Sequence, residues 1–276
     1  MEPKLIVITG ATRGLGRLAA EAAARAGARV VLACRDEGRG KAARDAVAAE
    51  ASGPEPELLV VDLASLASVR RAAAEALERF PRIDVLVNNA GIFSYENRMT
   101  ADGFELAMGT NYLGPFLLTN LLLPSMRPGS RIVNLVSDAY AIGGASLEAP
   151  ARGAVWAGFM NYAASKRAML QFTLALAERL AGRGITANAL HPGVIRTGIM
   201  RVGTWYGFLV DWVLAPFWTP AVDGVQAMLG LALAPEFEGM TGGYYKRGKA
   251  AKVKARFTSP EGLERLWNAS ARLVGL

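Results

Sequence analysis

A glycine-rich turn close to the start of the 276-residue chain constrains its fold more than any other stretch. The short β-branched run at residues 4–8 predicts a buried parallel strand, and an alanine-rich pattern then predicts a helix that stops at about Gly27. Between them, Gly10 permits a tight turn, Gly14 lets a phosphate approach backbone N–H groups, and Gly16 lets the helix pack closely on the strand. Strand, turn and helix in this order predict a phosphate site, with a ligand-free glycine turn as the alternative.

Short apolar runs and helical patterns alternate along the rest of the chain. Further strands are predicted at 29–34, 58–61, 85–87, 131–136, 185–190 and 244–245. Helices are predicted at 66–80 with Ser65 as cap, at 104–123, from Tyr162 to about Leu180, from Thr219 as cap with Pro220 at its first position, and at 260–273. Apart from this alternation of strands and helices, the sequence shows no internal repeat, and it shows no linker between domains. The pattern predicts an α/β fold in a single domain, 1–276, a Rossmann-type doubly wound parallel sheet of about seven strands flanked by helices on both faces.

Composition narrows the class of protein. Hydrophobic residues make up 52% and charged residues 20%, which suits a globular core. A single cysteine, Cys34, excludes an internal disulfide, and with a single histidine, His191, it leaves little from which to build a metal site, so we expect none. The N-terminus lacks a signal-peptide layout, and no run reaches the roughly 18 apolar residues of a spanning helix. These features predict a cytoplasmic protein without a transmembrane segment.

The net charge of +7 is dispersed along the chain. Its densest basic run, at residues 246–256, has no interleaved aromatic residues and no recognition-helix pattern. We therefore interpret it as solvated surface and expect no nucleic acid partner. An anionic ligand such as a phosphorylated cofactor also fits a basic protein.

The end of the second strand bears on the choice of cofactor. In dinucleotide-binding folds this position carries an acid for the ribose 2′-OH of NAD, or an arginine near the 2′-phosphate of NADP. Here Cys34 stands where the acid would fall, Arg35 follows it, and Arg13 lies in the glycine turn. The two cations favour NADP(H), while Asp36 keeps NAD(H) open as the weaker alternative.

The ends of the other predicted strands carry small or polar residues, at the edge where doubly wound sheets bind ligands. Asp62 either accepts a hydrogen bond from an adenine amino group or caps its loop, and a helical Asn111 is either structural or holds a water in a proton path. His191 is interpreted as a loop-positioning residue because no acid neighbours it in sequence. The remaining strand ends are Leu63, Asn89-Ala90-Gly91, Ser137, and Pro192-Gly193-Val194 with Thr197.

Tyr162 and Lys166 stand four residues apart at the start of a helical pattern, which places them on one helix face. A neighbouring ammonium favours the phenolate and is expected to lower the pKa of the tyrosine from about 10. Such a phenol can exchange a proton with an alcohol or a carbonyl near neutral pH. Taken alone the pair also suits a solvated helix face.

A cluster of aromatic residues at 203–218 contains three of the five tryptophans of the chain. It is too short and too interrupted to span a bilayer. We expect a substrate-binding lid around 197–220, with a dimer interface, shallow membrane contact or core packing as alternatives.

Taken together, the ordered motifs resemble the short-chain dehydrogenase/reductase family over nearly the whole chain. They are Thr9-Gly10-x-x-x-Gly14-x-Gly16, Asp62, Asn88-Asn89-Ala90-Gly91, Asn111, Ser137, Tyr162-x-x-x-Lys166, and Pro192-Gly193 with Thr197. Within that family the chain is similar to the retinol dehydrogenase-like branch. Three features suggest this branch: the run Leu32-Ala33-Cys34-Arg35-Asp36, the 25-residue separation of Ser137 from Tyr162, and Leu266-Trp267-Asn268-Ala269-Ser270.

The resemblance implies four catalytic residues: Tyr162 as general acid or base, Ser137 bonding the substrate oxygen, Lys166 binding the nicotinamide ribose and lowering the Tyr162 pKa, and Asn111 holding a water. It implies cofactor contacts at Gly10, Thr12, Arg13, Gly14, Leu15, Gly16, Arg35, Asp62, Leu63, Asn89, Ala90, Gly91, Tyr162, Lys166, Pro192, Gly193, Val194 and Thr197.

The implied function is that of an oxidoreductase, a carbonyl reductase or alcohol dehydrogenase. It would use NADP(H) to move hydride to or from a bulky apolar ketone, aldehyde or alcohol. A non-catalytic dinucleotide-binding sensor or scaffold is the alternative from another class, and a peripheral membrane enzyme is a third possibility. Members of the family commonly assemble through the helices that include Tyr162, so the resemblance also implies a homodimer or homotetramer.

Overall fold

A β-sheet runs through the computed structural model, which describes residues 2–94, 98–142, 154–195 and 219–276, with side chains from residue 158 onward in the third range. Its strands are Leu5–Thr9 (β1), Arg29–Cys34 (β2), Glu57–Val60 (β3), Val85–Asn88 (β4), Arg131–Leu135 (β5), Thr186–His191 (β6), Tyr244–Lys246 (β7) and Lys249–Ala251 (β8). The order is β3-β2-β1-β4-β5-β6-β7-β8, parallel throughout except for β8. The predicted doubly wound parallel sheet is confirmed.

The sheet has eight strands, whereas the sequence predicted about seven. β8 pairs antiparallel with β7, with Lys246 opposite Lys249. The two residues between them, Arg247 and Gly248, have φ values of 48° and 78°. A two-residue hairpin turn with both central residues at positive φ matches the right-handed twist of the strands it joins. Arginine is an uncommon residue at such a position, so the turn gave little signal in the sequence.

Helices cover both faces of the sheet. They are Gly14–Arg25 (α1), Glu37–Ala48 (α2), Leu66–Arg79 (α3), Leu106–Met108 (α4), Gly114–Leu122 (α5), Ala154–Arg179 (α6), Ala221–Leu233 (α7) and Pro260–Val274 (α8), with a π-helical turn at Gly109–Leu113. Successive strand residues point to opposite faces. Leu5 and Val7 accordingly pack with α3, α5, α6 and α8, while Ile6 and Ile8 pack with α1, α2 and α7.

The helix starts test two predicted caps. Ser65 caps α3 as predicted, its side chain accepting a hydrogen bond from the Ser68 N–H. The prediction that Thr219 caps the next helix is wrong, because α7 begins at Ala221 with Pro220 at the cap position. Thr219 is instead buried against Gly193, where an added Cβ would lie 2.2 Å from Thr219 Oγ1, and its N–H donates to the Val194 carbonyl at 2.8 Å. Thr219 therefore fixes the chain that follows β6.

The strand order reverses direction next to β1, which lies between β2 and β4. In open α/β sheets the crevice outside the carboxyl ends of the strands at such a point is where ligands bind. The glycine turn after β1 and the small residues after β4 both open into this crevice.

Within the described ranges, no helix has the length and apolar character needed to cross a bilayer. Most of the segment expected to form a lid, 197–218, lies outside the described residues, as does the stretch 143–153 ahead of Tyr162.

Candidate active site

The glycine turn lies directly against the end of β4. A Cβ built on Gly10 would lie 2.9 Å from the Ala90 Cα, and one built on Gly16 would lie 2.4 Å from Asn89 Nδ2 and 2.6 Å from the Gly10 carbonyl oxygen. Real Cβ atoms do not approach other atoms this closely, so both positions require glycine. The turn therefore has the close backbone packing that the sequence predicts for it.

The first turn of α1 follows at once. Its cap position is occupied by Arg13, whose side chain makes no capping hydrogen bond. The first N–H groups of a helix lack intrahelical partners and carry the positive end of the helix dipole, which suits an anion. Thr12 is half-buried, and the Leu15 side chain is buried in the core, which leaves the Leu15 backbone as the part able to face a ligand.

Side-chain hydrogen bonds tie the ends of β1 and β4 together. The Asn89 side-chain amide donates to the Thr9 carbonyl at 2.8 Å, and the Ala90 N–H donates to the Thr9 hydroxyl at 3.0 Å. These bonds hold the Asn89-Ala90-Gly91 turn beside the glycine turn. The two turns predicted to contact a cofactor are therefore brought together.

At the end of β2, Asp36 is engaged in local structure. Its carboxylate caps α2 by accepting from the Arg39 N–H at 2.9 Å. The Cys34 thiol is buried and faces the Asp36 carbonyl oxygen at 3.4 Å. Arg13 and Arg35 are exposed, and neither side chain has an ion pair or hydrogen bond in the described part of the chain. Asp36 is thus a capping residue, and two cations remain available at this edge.

The loop after β3 is closed by Asp62. Its carboxylate accepts from the Ala64 N–H at 3.0 Å, and its own N–H donates to the Ser68 hydroxyl at 3.0 Å. Of the two sequence interpretations of Asp62, the loop cap is present in this structure. The Leu63 side chain is buried, and its carbonyl oxygen would lie 2.2 Å from a Cβ on Gly114.

Ser137, Tyr162 and Lys166 converge at the carboxyl end of β5. The Ser137 hydroxyl hydrogen-bonds with the Tyr162 phenol and also accepts from the Ala139 N–H at 3.3 Å. The Lys166 ammonium lies 5.8 Å from the centroid of the Tyr162 ring and donates to the Leu135 carbonyl at 3.0 Å. It is buried beneath Gly91, where a Cβ would come within 3.2 Å of its nitrogen.

Asn111 lies in the π-helical turn at Gly109–Leu113 and is buried. Single π-helical turns within helices are frequent at functional sites. The Asn111 amide donates to the Ile92 carbonyl at 2.9 Å and to the Ser165 hydroxyl at 3.1 Å, and its oxygen accepts from the Ile92 N–H at 2.8 Å. Both amide hydrogens are used, and the Ser165 hydroxyl in turn donates to the Tyr162 carbonyl at 2.7 Å. The side chain of Asn111 therefore joins the loop after β4 to the helix that carries Tyr162.

The protonation of the Tyr162–Lys166 pair differs from the sequence expectation. Burial raises the pKa of the Tyr162 phenol, and the hydrogen bond from Ser137 offsets only part of that effect. Burial also lowers the pKa of Lys166 from 10.5 to about 8. The predicted lowering of the Tyr162 pKa is therefore wrong, because removal from water disfavours the charged forms of both groups.

Two aromatic side chains beside Tyr162, those of Phe93 and Phe159, were not predicted from the sequence. The Phe93 ring meets the Tyr162 ring edge-on, with centroids 5.6 Å apart, and lies 6.4 Å from the Phe159 ring. Phe93 follows the Asn89-Ala90-Gly91 turn by two residues, and Phe159 precedes Tyr162 by about one helical turn. Their proximity in sequence to predicted site residues was the signal available.

Sequence reasoning also missed the partners of Asp138, the residue after Ser137. Its carboxylate accepts from the Tyr244 hydroxyl at 2.6 Å and pairs with Lys246 at 2.9 Å, while His191 Nε2 lies 3.8 Å away. Burial alone would raise the pKa of Asp138, but these partners hold it below its usual range. Burial lowers the pKa of His191, which favours the neutral imidazole. The cluster anchors the end of β5 to β7.

The turn after β6 begins with Pro192. Gly193 has a φ of 101°, and Val194 accepts the hydrogen bond from Thr219 described above. Thr197 lies outside the described residues. Among the residues that are described, no group of three or more histidine, cysteine or acidic side chains could hold a metal ion.

These features fit a dinucleotide. Two glycine positions leave no room for a side chain, and the start of α1 lacks a side-chain cap. Two arginines with no ion-pair partner among the described residues stand at the edge where a ribose phosphate would lie. Ser137, Tyr162 and Lys166 stand along the same crevice. The fold and the site together define a nucleotide-dependent oxidoreductase of the dinucleotide-binding class.

Comparison with known proteins agrees with this class. The family model for short chain dehydrogenases matches residues 4–204, so the chain belongs to that family. Human retinol dehydrogenase 14 is 40% identical over 298 residues, covering 100% of this chain and 88% of its own length. This likeness places the chain in the retinol dehydrogenase-like branch.

Solved structures show the same fold. A Mycobacterium paratuberculosis protein is 32% identical with a TM-score of 0.72, covering 99% of this chain and 93% of its own. A blue fluorescent protein from a metagenomic library, solved in complex with NADPH, is 30% identical with a TM-score of 0.70, covering 93% and 98%.

Proposed function

We propose that the protein is an NADP(H)-dependent carbonyl reductase or alcohol dehydrogenase that acts on bulky apolar ketones, aldehydes or alcohols, with Tyr162 as the general acid and base. The observation that carries the proposal is the convergence of Tyr162, Ser137 and Lys166 at the mouth of the glycine-lined crevice. A phenol, a hydroxyl and a buried ammonium at this place suit proton transfer to or from an oxygen.

The residues that would hold the cofactor follow from the geometry. The backbone of the glycine turn and the start of α1 would bind its diphosphate, and Arg13 and Arg35 would bind its 2′-phosphate. Once bound, the nicotinamide supplies the hydride and, when oxidised, a positive charge. That added charge would counter the burial that raises the pKa of Tyr162.

The chain's own residues would manage the substrate oxygen and its proton. The Ser137 hydroxyl bonds to the Tyr162 phenol, and it would redirect its hydrogen to a substrate oxygen bound beside that phenol. Such a donor stabilises the negative charge that develops on that oxygen. Tyr162 would give up its proton in reduction and take one back in oxidation. Lys166 is held by the Leu135 carbonyl and has two further N–H groups to offer.

Asn111 would act as a positioning residue. Its amide hydrogens are engaged by Ile92 and Ser165, so a water in a proton path would bind its backbone carbonyl in preference to its side chain. The side chain would keep the helix that carries Tyr162 in register with the loop beneath the cofactor.

The apolar substrate class rests on Phe93 and Phe159, which form one wall of the site next to Tyr162. The curated relatives are named as retinol dehydrogenases. Long-chain apolar aldehydes, retinal among them, are therefore the first substrates to test.

The test is steady-state NADPH oxidation across a panel of apolar carbonyls, comparing the wild type with Tyr162→Phe. We expect the variant to lose roughly two to four orders of magnitude in kcat, because the proton donor is removed. NADPH binding, followed by fluorescence, should stay within about threefold, since the ring remains. Tyr245→Phe, which removes a hydroxyl on β7, is the matched control and should keep wild-type rates.

Two results would reject the proposal. Wild-type turnover in Tyr162→Phe would remove the tyrosine from the mechanism. Tight NADPH binding without turnover of any carbonyl or alcohol would favour the sensor or scaffold alternative.

Cofactor preference is tested by Arg35→Asp. A charged hydrogen bond to the 2′-phosphate is worth about 1.5–3 kcal/mol, so the ratio of kcat/KM for NADPH over NADH should fall by roughly tenfold to a hundredfold. Arg39→Asp, one turn further along, is the control and should leave the ratio unchanged. Comparable wild-type efficiency with both cofactors would contradict the assignment of Arg13 and Arg35.

Three further expectations belong to this proposal. They are a substrate-binding lid around 197–220, a homodimer or homotetramer, and a cytoplasmic location with peripheral membrane contact as an alternative.

A further inference from the structure

A second groove lies on the outer side of α6, away from the crevice that holds Tyr162. It is bounded by α6 and α8, encloses about 650 Å³, and opens to solvent along one side. This volume falls in the range of ligand-binding pockets. Its apolar lining comes from Met108, Ala164, Ala168, Phe257 and Leu266. No residue of the Ser137, Tyr162 and Lys166 group lines it.

Four arginines face this groove: Arg167, Arg256, Arg265 and Arg272. None of the residues that line it is acidic. Of the two acids on α8, Glu264 pairs with Arg179, and neither it nor Glu261 lines the groove. The lining of the groove therefore carries an excess of positive charge.

Two of the guanidinium groups are held in place by the same aromatic ring. The Cζ atoms of Arg167 and Arg256 each lie 4.7 Å from the centroid of the Phe257 ring. Arg167 donates to the Tyr140 carbonyl at 3.3 Å, and Arg256 donates to the Ala141 carbonyl at 2.8 Å. Burial lowers the pKa of Arg167, and the charge of Arg256 acts in the same direction. Two like charges are thus kept close together with only carbonyl oxygens as partners.

The other two arginines stand on α8. Arg265 and Arg272 are seven residues apart, which places them two turns apart on one helix face. Both are exposed, and neither has an ion pair or hydrogen bond from its side chain within the described ranges. Their guanidinium groups are free to bind an external anion.

We propose that this groove binds the phosphate head group of an anionic phospholipid at a membrane surface. Guanidinium groups match phosphate oxygens in a bidentate manner, and the apolar lining would take the glycerol and the first part of an acyl chain. The exposed Lys252 and Lys254 extend the same positive surface along the chain that enters the groove. A second copy of the protein is a poor occupant, because a twofold contact would place arginines against arginines.

Vesicle co-sedimentation tests the proposal with the full chain. The wild type should bind phosphatidylcholine vesicles that contain phosphatidylglycerol, and it should not bind pure phosphatidylcholine. The double variant Arg265→Gln/Arg272→Gln should bind the anionic vesicles about tenfold more weakly or worse. Lys4→Gln/Arg183→Gln is the control with the same net charge outside the groove, and it should stay within about twofold of the wild type. Thermal unfolding and NADPH turnover should be alike in all three proteins, since none of the four substituted positions is in the proposed active site.

Each alternative occupant gives a different result. Equal loss in both double variants would mean that net charge alone drives binding, and would overturn the proposal. Stabilisation of the wild type by inorganic phosphate, with no response to anionic vesicles, would assign the groove to a soluble phosphate. Binding of a glutamate-rich peptide but not of vesicles, again lost only in the groove variant, would replace the lipid by a protein partner. Turnover is measured separately, so failure here leaves the proposed enzymatic function untouched.

Discussion

Lys166 shows how a single residue can combine a favourable chemical role with a cost in stability. Its ammonium is buried, and among the described residues it donates only to the Leu135 carbonyl. Burial lowers its pKa to about 8, so at neutral pH the folded protein carries a charge that it disfavours. Residues placed for function commonly bear such a cost.

This cost predicts a pH-dependent stability for the cofactor-free protein. In the folded state Lys166 loses its proton at about 8, and in the unfolded state at its ordinary 10.5. Between these values the unfolded chain binds more protons, so the free energy of unfolding should rise with pH, by about 3 kcal/mol in total. Lys166→Met removes this contribution. Urea unfolding at several pH values should therefore show the wild type gaining stability relative to the variant from about pH 8 upward.

The exposed Lys4 provides the control. A Lys4→Met curve should run parallel to that of the wild type, because the Lys4 side chain is exposed and the substitution leaves Lys166 in place. Parallel curves for wild type and Lys166→Met across this range would show that Lys166 is not charged and buried as the structure has it.

The identity of the candidate site residues was predictable from the sequence, but their environment was not. Tyr162 and Lys166 are close in sequence, so their pairing on one helix face followed from helical periodicity. The pKa of Tyr162 is raised, not lowered as expected, because elements distant in the chain bury its side chain. Asp138 illustrates the same limit, because its partners Tyr244 and Lys246 lie more than 100 residues away.

At the scale of elements, the sequence predicted the first seven strands to within one residue, but it missed α2 at Glu37–Ala48 and started α6 at Tyr162, whereas the helix begins at Ala154. β2 at Arg29–Cys34 has the predicted bounds, because a β-branched run between turns leaves little freedom. The predicted helix at 104–123 is instead divided by the π-helical turn at Gly109–Leu113. Apolar periodicity cannot show an inserted residue of this kind, which depends on the side-chain bonds of Asn111 to Ile92 and Ser165.

The glycine turn after β1 was predicted correctly from the sequence, and its close packing leads to a testable prediction. Gly16→Ala places a Cβ 2.6 Å from the Gly10 carbonyl oxygen, so the turn or α1 must shift. We expect a loss of about 1–3 kcal/mol in the free energy of unfolding and weaker NADPH binding, measured by urea unfolding and by fluorescence titration.

Gly38→Ala is the matched control on α2, where the nearest atom to the new Cβ is Asp36 Oδ1 at 3.5 Å, an ordinary contact. It should stabilise the protein by up to about 1 kcal/mol, because alanine favours the helix. If both substitutions changed stability alike, the close packing at Gly16 would not be real.

At the scale of the whole molecule, α8 packs against α5 and α6. Trp267 packs against Phe116 and Phe172, with ring centroids 5.1 and 5.8 Å apart, and the Ser270 hydroxyl bonds to the Tyr112 phenol at 2.6 Å. The sequence predicted this helix almost to its end. An amphipathic pattern shows that one face of a helix is apolar, but it does not show which part of the protein that face will contact. The packing of α8 on α5 and α6 could therefore not be predicted from the sequence.

The last prediction tests this docking. Trp267 is half-buried and also lies under the Arg179 guanidinium, 4.0 Å from its Cζ. We expect Trp267→Ala to lower the free energy of unfolding by about 2–3 kcal/mol in urea, less than for a fully buried tryptophan. Leu276→Ala, at a residue 51% exposed, should change it by less than about 0.5 kcal/mol. Loosening α8 uncovers apolar surface, so sedimentation velocity should show the Trp267 variant self-associating with concentration. Wild-type stability in Trp267→Ala would contradict this arrangement.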